Sequence, residues 1–455
     1  MKYAGGDLTE SFDEVHAPSI VTKVLRVEQC LGLIDPTSTP VAAEKVIQKT
    51  QAVLDSAKPP LHSLISVHDF EDVARQFFTA KAFAFFSSAA TDLISYRANM
   101  QSHRQLLLRP RVLRNVQNVS LKRNILGIDS NAPFFVSPAA MARLAHPDGE
   151  LAIARACGEQ GIIQTVARSP IYRMEKVANK SQISSNASYP LAEVVAAGKP
   201  DQPFFFQLYV NSDRAKTEDL LRSARALGVK ALQVTVDAPI PGKREADERI
   251  AAENLVSAVS GAVAENDKKG GGLGRVMAKY IDSTLNWEDL AWLKDVSGLP
   301  IVLKGIQTAA DAQKAVEYGA AAILLSNHGG RSLDTTQPAM LTLLELHKHA
   351  PEVFEHLEVY VDGGFTRGTD VIKALALGAT AVGLGRPFLY ALAYGQDGVE
   401  HLIEVLTDEI ESTMKLAGIT DVDQAHPGMV NTAMLEPLIR GEAHPWIQWK
   451  PKANL

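Results

Sequence analysis

From Pro133 to Arg386 the chain repeats one pattern, and that repetition constrains its fold more than any other feature. Eight short runs are almost continuously apolar and β-rich: Pro133–Met141, Gly161–Ala167, Phe204–Val210, Ala231–Pro239, Pro300–Gln307, Ala321–His328, Leu357–Gly364 and Ala381–Arg386. Helical patterns separate them, among them Gly149–Gln160, Asp213–Leu227, Thr308–Tyr318 and Thr369–Leu377. Strands without polar alternation are buried on both faces, as parallel strands covered by helices are. Eight such units predict an α/β fold, a (β/α)8 TIM barrel. An open doubly wound sheet is the alternative the same pattern permits. Upstream, Ser66 with Asp69 opens a helix to about Thr79, and a second is expected over Lys81–Asn99. These form an N-terminal helical extension.

Composition narrows the class. Lys plus Arg number 46 against 52 Asp plus Glu, so the net charge is −6. A weakly acidic chain lacks the basic footprint of a nucleic-acid protein. The two cysteines, Cys30 and Cys157, provide neither a disulfide framework nor a cysteine zinc site. No apolar run reaches the length of a membrane span, and no signal or transit pattern opens the chain. A cytoplasmic location is expected. A peroxisomal or mitochondrial one stays open, since Ala453-Asn454-Leu455 is a distant relative of the Ser-Lys-Leu signal.

Polar residues cluster at the C-terminal ends of the runs, the face where barrels place their active sites. Ser326-Asn327-His328-Gly329-Gly330-Arg331-Ser332-Leu333-Asp334 is the densest cluster. A histidine there can act as a general base, and Arg331 can hold a carboxylate through a bidentate fork. Asp237 ends the fourth run; an aspartate buried there needs a partner, and orienting a catalytic imidazole is one such job. Capping the next helix is the other. Asp362-Gly363-Gly364-Phe365-Thr366-Arg367 and Gly383-Leu384-Gly385-Arg386 end runs seven and eight, where barrels commonly bind phosphate through glycine amides and arginines. Lys304 ends run five and suits either a Schiff base or the stabilisation of an anion. Between Arg244 and about Ile281, an Ala/Glu-rich stretch and Gly270-Gly271-Gly272 read as a mobile lid or a disordered insertion.

With these residues in view, the chain from about Leu61 onward resembles the FMN-dependent 2-hydroxy acid dehydrogenase/oxidase family, and most closely its flavocytochrome members. Phe206-Gln207-Leu208-Tyr209-Val210-Asn211 and Gly385-Arg386-Pro387-Phe388 carry the likeness beside the Ser326–Arg331 stretch. The resemblance implies FMN as cofactor and oxidation of a small 2-hydroxy acid to a 2-oxo acid. Electrons would pass to oxygen or an external acceptor. It implies His328 as base, Asp237 as its partner, and Arg331 and Arg244 on the substrate carboxylate with Tyr209 beside the hydroxyl. Lys304, Gln207 and Thr235 would meet the flavin ring, with Ser137, Pro138, Ala139 and Ala140 along one side of it. Asp362 would meet the ribityl chain, and Gly363, Gly364, Arg367, Gly385 and Arg386 the phosphate end. A homotetramer is the implied assembly.

The chain also departs from the family. Phe85 stands where a tyrosine usually helps bind the carboxylate, and Ala139 where a threonine is common. Ala167, Arg168 and Ser169 replace serines and a variable substrate contact. These changes suggest a bulkier, more apolar or otherwise non-standard hydroxylated substrate, an alternative to a lactate-like one; harmless drift is the other reading. At the N-terminus, Ala4-Gly5-Gly6-Asp7 with His16-Ala17-Pro18 resembles the tail of a b-type haem domain. Residues 1–60 are therefore expected to be a haem-domain remnant and linker that binds no haem, and 61–455 the catalytic barrel.

Overall fold

The computed structural model describes residues 58–167, 188–250 and 280–440. Most of the stretch between Arg244 and about Ile281 that reads as a lid or a disordered insertion, the N-terminal haem-like segment, Arg168 and Ser169, and the C-terminal tripeptide lie outside the described residues.

The eight runs form eight strands: β1 (Phe134–Val136), β2 (Gln164–Val166), β3 (Phe204–Leu208), β4 (Ala231–Thr235), β5 (Ile301–Ile306), β6 (Ala322–Leu325), β7 (Glu358–Asp362) and β8 (Ala381–Leu384). They pair in parallel in chain order. β8 returns to β1 through Val382, Gly383 and Leu384 against Phe134, Phe135 and Val136, closing the barrel. Closure excludes the open sheet. Most strands stop short of the polar residues at the ends of the sequence runs. Ser137, Tyr209, Asp237 and His328 lie beyond the strand ends, where the backbone leaves the ladder, and Arg386 opens the helix that follows β8; His328 itself has φ 60°.

Strand alternation decides which side chains enter the barrel. Phe135, Ile163, Phe205, Ala231, Val302, Leu324, Tyr360 and Ala381 fill its interior. Ile125 joins them from the hairpin Arg123–Ile125/Ile128–Ser130. Continuing the same two-residue step toward the strand ends brings Ser137, Gln207, Tyr209, Thr235, Lys304 and Asp362 to the barrel mouth, where all six line one cavity.

The N-terminal helices cover that mouth. α1 (Val67–Phe77) buries Val67, Phe70, Val73 and Ala74, a spacing that makes one helix face. The helix expected over 81–99 is instead two, α2 (Ala80–Ser87) and α3 (Ile94–Gln105). Thr91 and Leu93 have φ of 33° and 64°, which no helix accommodates. The amides at the start of α3 turn to the Asp334 carboxylate, a partner far away in sequence. Of the later helices, α4 (Gly368–Ala376) and α5 (Arg386–Ala391) open directly at the ends of β7 and β8.

Candidate active site

The polar groups at the barrel mouth centre on one imidazole. His328 Nδ1 lies 2.8 Å from Asp237 Oδ1, and its Nε2 3.4 Å from the Tyr209 hydroxyl. The carboxylate requires the proton on Nδ1, which leaves the Nε2 lone pair facing the cavity. Burial lowers the His328 pKa and outweighs Asp237, which raises it. The ring is therefore neutral near physiological pH and able to accept a proton. Burial alone would raise the Asp237 carboxyl, but the charges of Lys304 and then His328 hold it below its ordinary value. Asp237 is thus an anion beside the imidazole, able to stabilise its protonated form. Burial, and then the nearby Asp237 charge, raise the Tyr209 phenol, so it acts as a neutral hydrogen-bonding group.

Lys304 is enclosed by acceptors. Its Nζ donates to Ser326 Oγ at 3.1 Å and lies 3.7 Å from Asp237 Oδ2 and 3.8 Å from Asp362 Oδ2. An ammonium paired with two carboxylates suits an anion and not a Schiff base. Ser326, which sequence reasoning did not single out, also accepts the backbone N–H of His328 at 3.0 Å and so ties the lysine to the base. Its position inside the histidine cluster was the available signal.

Across the cavity stand the arginines. Burial, followed by the charges of Arg244 and Arg386, pushes the Arg331 guanidinium well below its ordinary value. Arg244 is lowered too, mainly by burial, and its Nε has no hydrogen-bond partner among the described residues. Such crowding favours an anionic ligand. Both guanidiniums lie over the Phe85 ring, at 5.9 Å for Arg244 and 5.4 Å for Arg331. Phe85 therefore stands beside both guanidiniums and offers them a π face and no hydroxyl.

One cavity of about 250 Å³ connects these groups. Pro138, Ala139, Ala140, Ala167, Phe85 and Leu384 supply apolar walls. Gln207 donates to Thr235 Oγ1 at 2.9 Å on the polar side. Gly363, Gly364, Gly385 and Arg386 line the end where β7 and β8 stop. Gly363 and Gly364 have φ of 98° and 84° and lie against Asn99, so a side chain at Gly364 would meet the backbone of α3. Asp362 Oδ1 is buried without a hydrogen-bond partner among the described residues. A cavity with apolar walls, edged by a lysine, with an orphaned carboxylate oxygen and glycines lining the end where β7 and β8 stop, fits FMN.

One expected contact is misplaced. Arg367 does not line the cavity; its Nη1 donates to Glu409 Oε1 at 2.7 Å, and the other Glu409 oxygen accepts Gly368 N–H at 2.7 Å. Arg367 is the N-cap residue of α4, so its side chain follows the outer helix surface, and Thr366 faces the cavity in its place.

This fold and site define a flavin-dependent oxidoreductase built on a barrel. Residues 74–432 match the model of the FMN-dependent dehydrogenase family. The L-lactate dehydrogenase (cytochrome) of Saccharomyces cerevisiae is 39% identical over 447 residues, covering 95% of this chain and 73% of that protein. A peroxisomal (S)-2-hydroxyacid oxidase of Arabidopsis thaliana is 38% identical over 378 residues, 82% of this chain and 98% of that protein. Among solved structures, the flavin-binding domain of baker's yeast flavocytochrome b2 superposes with a TM-score of 0.75 at 37% identity, covering 90% of this chain and 98% of that one. A mandelate oxidase bound to (S)-4-hydroxymandelic acid gives 0.72 at 34% identity, covering 81% and 98%. The chain belongs to the FMN-dependent dehydrogenase family.

Proposed function

We propose that the protein oxidises a 2-hydroxy acid to the corresponding 2-oxo acid on FMN, and that residues 61–455 carry this activity. Bound FMN supplies the two-electron acceptor. The observation that carries the reading is the 2.8 Å contact between His328 and Asp237, facing two arginines across one cavity. Arg331 and Arg244 hold the substrate carboxylate, and Tyr209 hydrogen-bonds its hydroxyl. His328 Nε2 takes the proton, and Asp237 stabilises the charge that results. Lys304, Gln207 and Thr235 hold the polar edge of the flavin and Ser137 through Ala140 its apolar side. Asp362 holds the ribityl chain, and Gly363, Gly364, Gly385 and Arg386 the phosphate. Lys304 would offset the negative charge gained by bound FMN near the substrate carboxylate, where a low dielectric makes repulsion strong.

A second reading concerns the substrate. Phe85 lacks the hydroxyl that would grip a small acid, and Ala139 and Ala167 leave room in the cavity wall. Both favour an acid with a larger apolar group, or a non-standard hydroxylated compound. The test is anaerobic mixing of the yellow protein with 2-hydroxy acids of graded size, followed by air. Bleaching by an acid is expected; bleaching only by another substrate class sinks the first reading. Rapid re-oxidation in air identifies oxygen as an acceptor, and slow re-oxidation an external one. No described helix is long and apolar enough to cross a membrane. A cytoplasmic homotetramer completes the proposal, the tetramer on the strength of the family resemblance, and sedimentation checks the assembly.

A further inference from the structure

We propose that Asp334 is a positioning residue for Arg331, acting through the turn between α2 and α3; this rests on Arg331 holding the substrate carboxylate. Arg331 Nη1 donates to the Phe86 and Ser88 carbonyls at 2.8 and 2.9 Å, and Nη2 to the Phe85 carbonyl at 3.0 Å. These carbonyls belong to the end of α2, where the last turn lacks intrahelical donors. A guanidinium has five N–H donors, and this grip commits three of them. Only Nε and one Nη2 hydrogen remain for a ligand. Where they point depends on where residues 85–88 are held.

Asp334 holds the segment that follows. Its Oδ2 accepts from Thr91 Oγ1 at 2.8 Å, Asp92 N–H at 3.0 Å and Ile94 N–H at 3.3 Å, and its Oδ1 from Ser95 N–H at 2.8 Å. The residue is buried and none of its bonds reaches the cavity. Those hydrogen bonds outweigh burial and pull its carboxyl down to about 2, so it stays ionised. Two non-glycine residues at positive φ, Thr91 and Leu93, lie inside the stretch it anchors. Such backbone persists only where its surroundings determine it. Ala90 N–H also donates to the Gly330 carbonyl at 2.8 Å. Asp334 thus belongs to the loop that carries Arg331 and, by capturing residues 91–95, fixes the carbonyls that aim that arginine.

The test titrates FMN-loaded protein with pyruvate, and with benzoylformate as a bulkier 2-oxo acid, following flavin absorbance. Asp334→Asn replaces one acceptor oxygen with an NH2 that opposes the backbone donors, and 2-oxo acid binding should weaken about tenfold or more. The flavin-to-protein ratio should stay that of the wild type. Thr91→Val deletes one donor and should weaken binding about two- to fivefold. Arg331→Lys cannot hold three carbonyls together with a ligand. If Asp334 acts through Arg331, the double variant should bind no more weakly than Arg331→Lys alone. Binding by Asp334→Asn within about twofold of wild type, or losses that multiply in the double variant, would overturn the proposal. If Asp334→Asn does not fold, the same cycle is run with Thr91→Val and decides by the same criterion. Unchanged binding in Arg331→Lys would instead overturn the reading of Arg331, and this proposal with it.

Discussion

His328 combines three conditions that a general base needs, each with a separate physical source. Burial keeps the ring neutral, Asp237 sets its tautomer, and the open side of Nε2 faces the cavity. His328→Ala should keep the flavin spectrum and slow bleaching by about 10²–10⁴-fold, the usual worth of a positioned base. The pH dependence follows from the direction of the shift. The ring pKa is lowered from 6.5, so more than half of the base is already unprotonated at that pH. Reduction rates should fall only as pH drops through the depressed pKa; a rate already halved above pH 6.5 would contradict the assignment. Phe85 offers the complementary test. Phe85→Tyr should place a hydroxyl between Arg244 and Arg331 and tighten small acids by about 1.5–3 kcal/mol. Unchanged affinity would show that the ring is not at the carboxylate.

At the level of elements, the turns beyond the strands carry more function than the strands themselves. The N-termini of α4 and α5 both follow glycine-bearing turns, yet their arginines do different work. Arg386 lines the cavity, while Arg367 pairs with Glu409 on α6 (Gly395–Ala417). Arg367→Ala should therefore leave FMN affinity within about twofold, since the pair it breaks is half-exposed and of small worth. Arg386→Ala should weaken FMN by about tenfold or more, the cost of a charge-assisted contact. Flavin fluorescence during titration of the apoprotein measures both. Equal losses in the two variants would return Arg367 to the phosphate.

For the molecule as a whole, the barrel interior is a packed core whose two ends have different tasks. Ile125 lies fully buried in the same cluster as Phe135, Ile163 and Tyr360, carried by the hairpin that precedes β1. Ile125→Ala should cost about 2–5 kcal/mol in denaturant unfolding while leaving the bleaching rate of the folded enzyme unchanged. The eight strands, most of the helices and the sets around His328 and Asp237 were legible in the sequence, because burial on both faces writes itself as unbroken apolar runs and functional groups stand out at their ends. So was the closed barrel, from the count of eight units. The break between α2 and α3, the outward turn of Arg367 and the parts played by Ser326 and Asp334 were not. Each depends on a partner not adjacent in the chain. Asp334 meets Ser95, and Arg367 meets Glu409. Local patterning determined which segments become strands and helices and which residue types stand at their ends. Only the tertiary structure decided which of those side chains share a cavity, because hydrogen bonds and ion pairs depend on distance in space, and one helical step at the start of α4 turned an arginine away from the site.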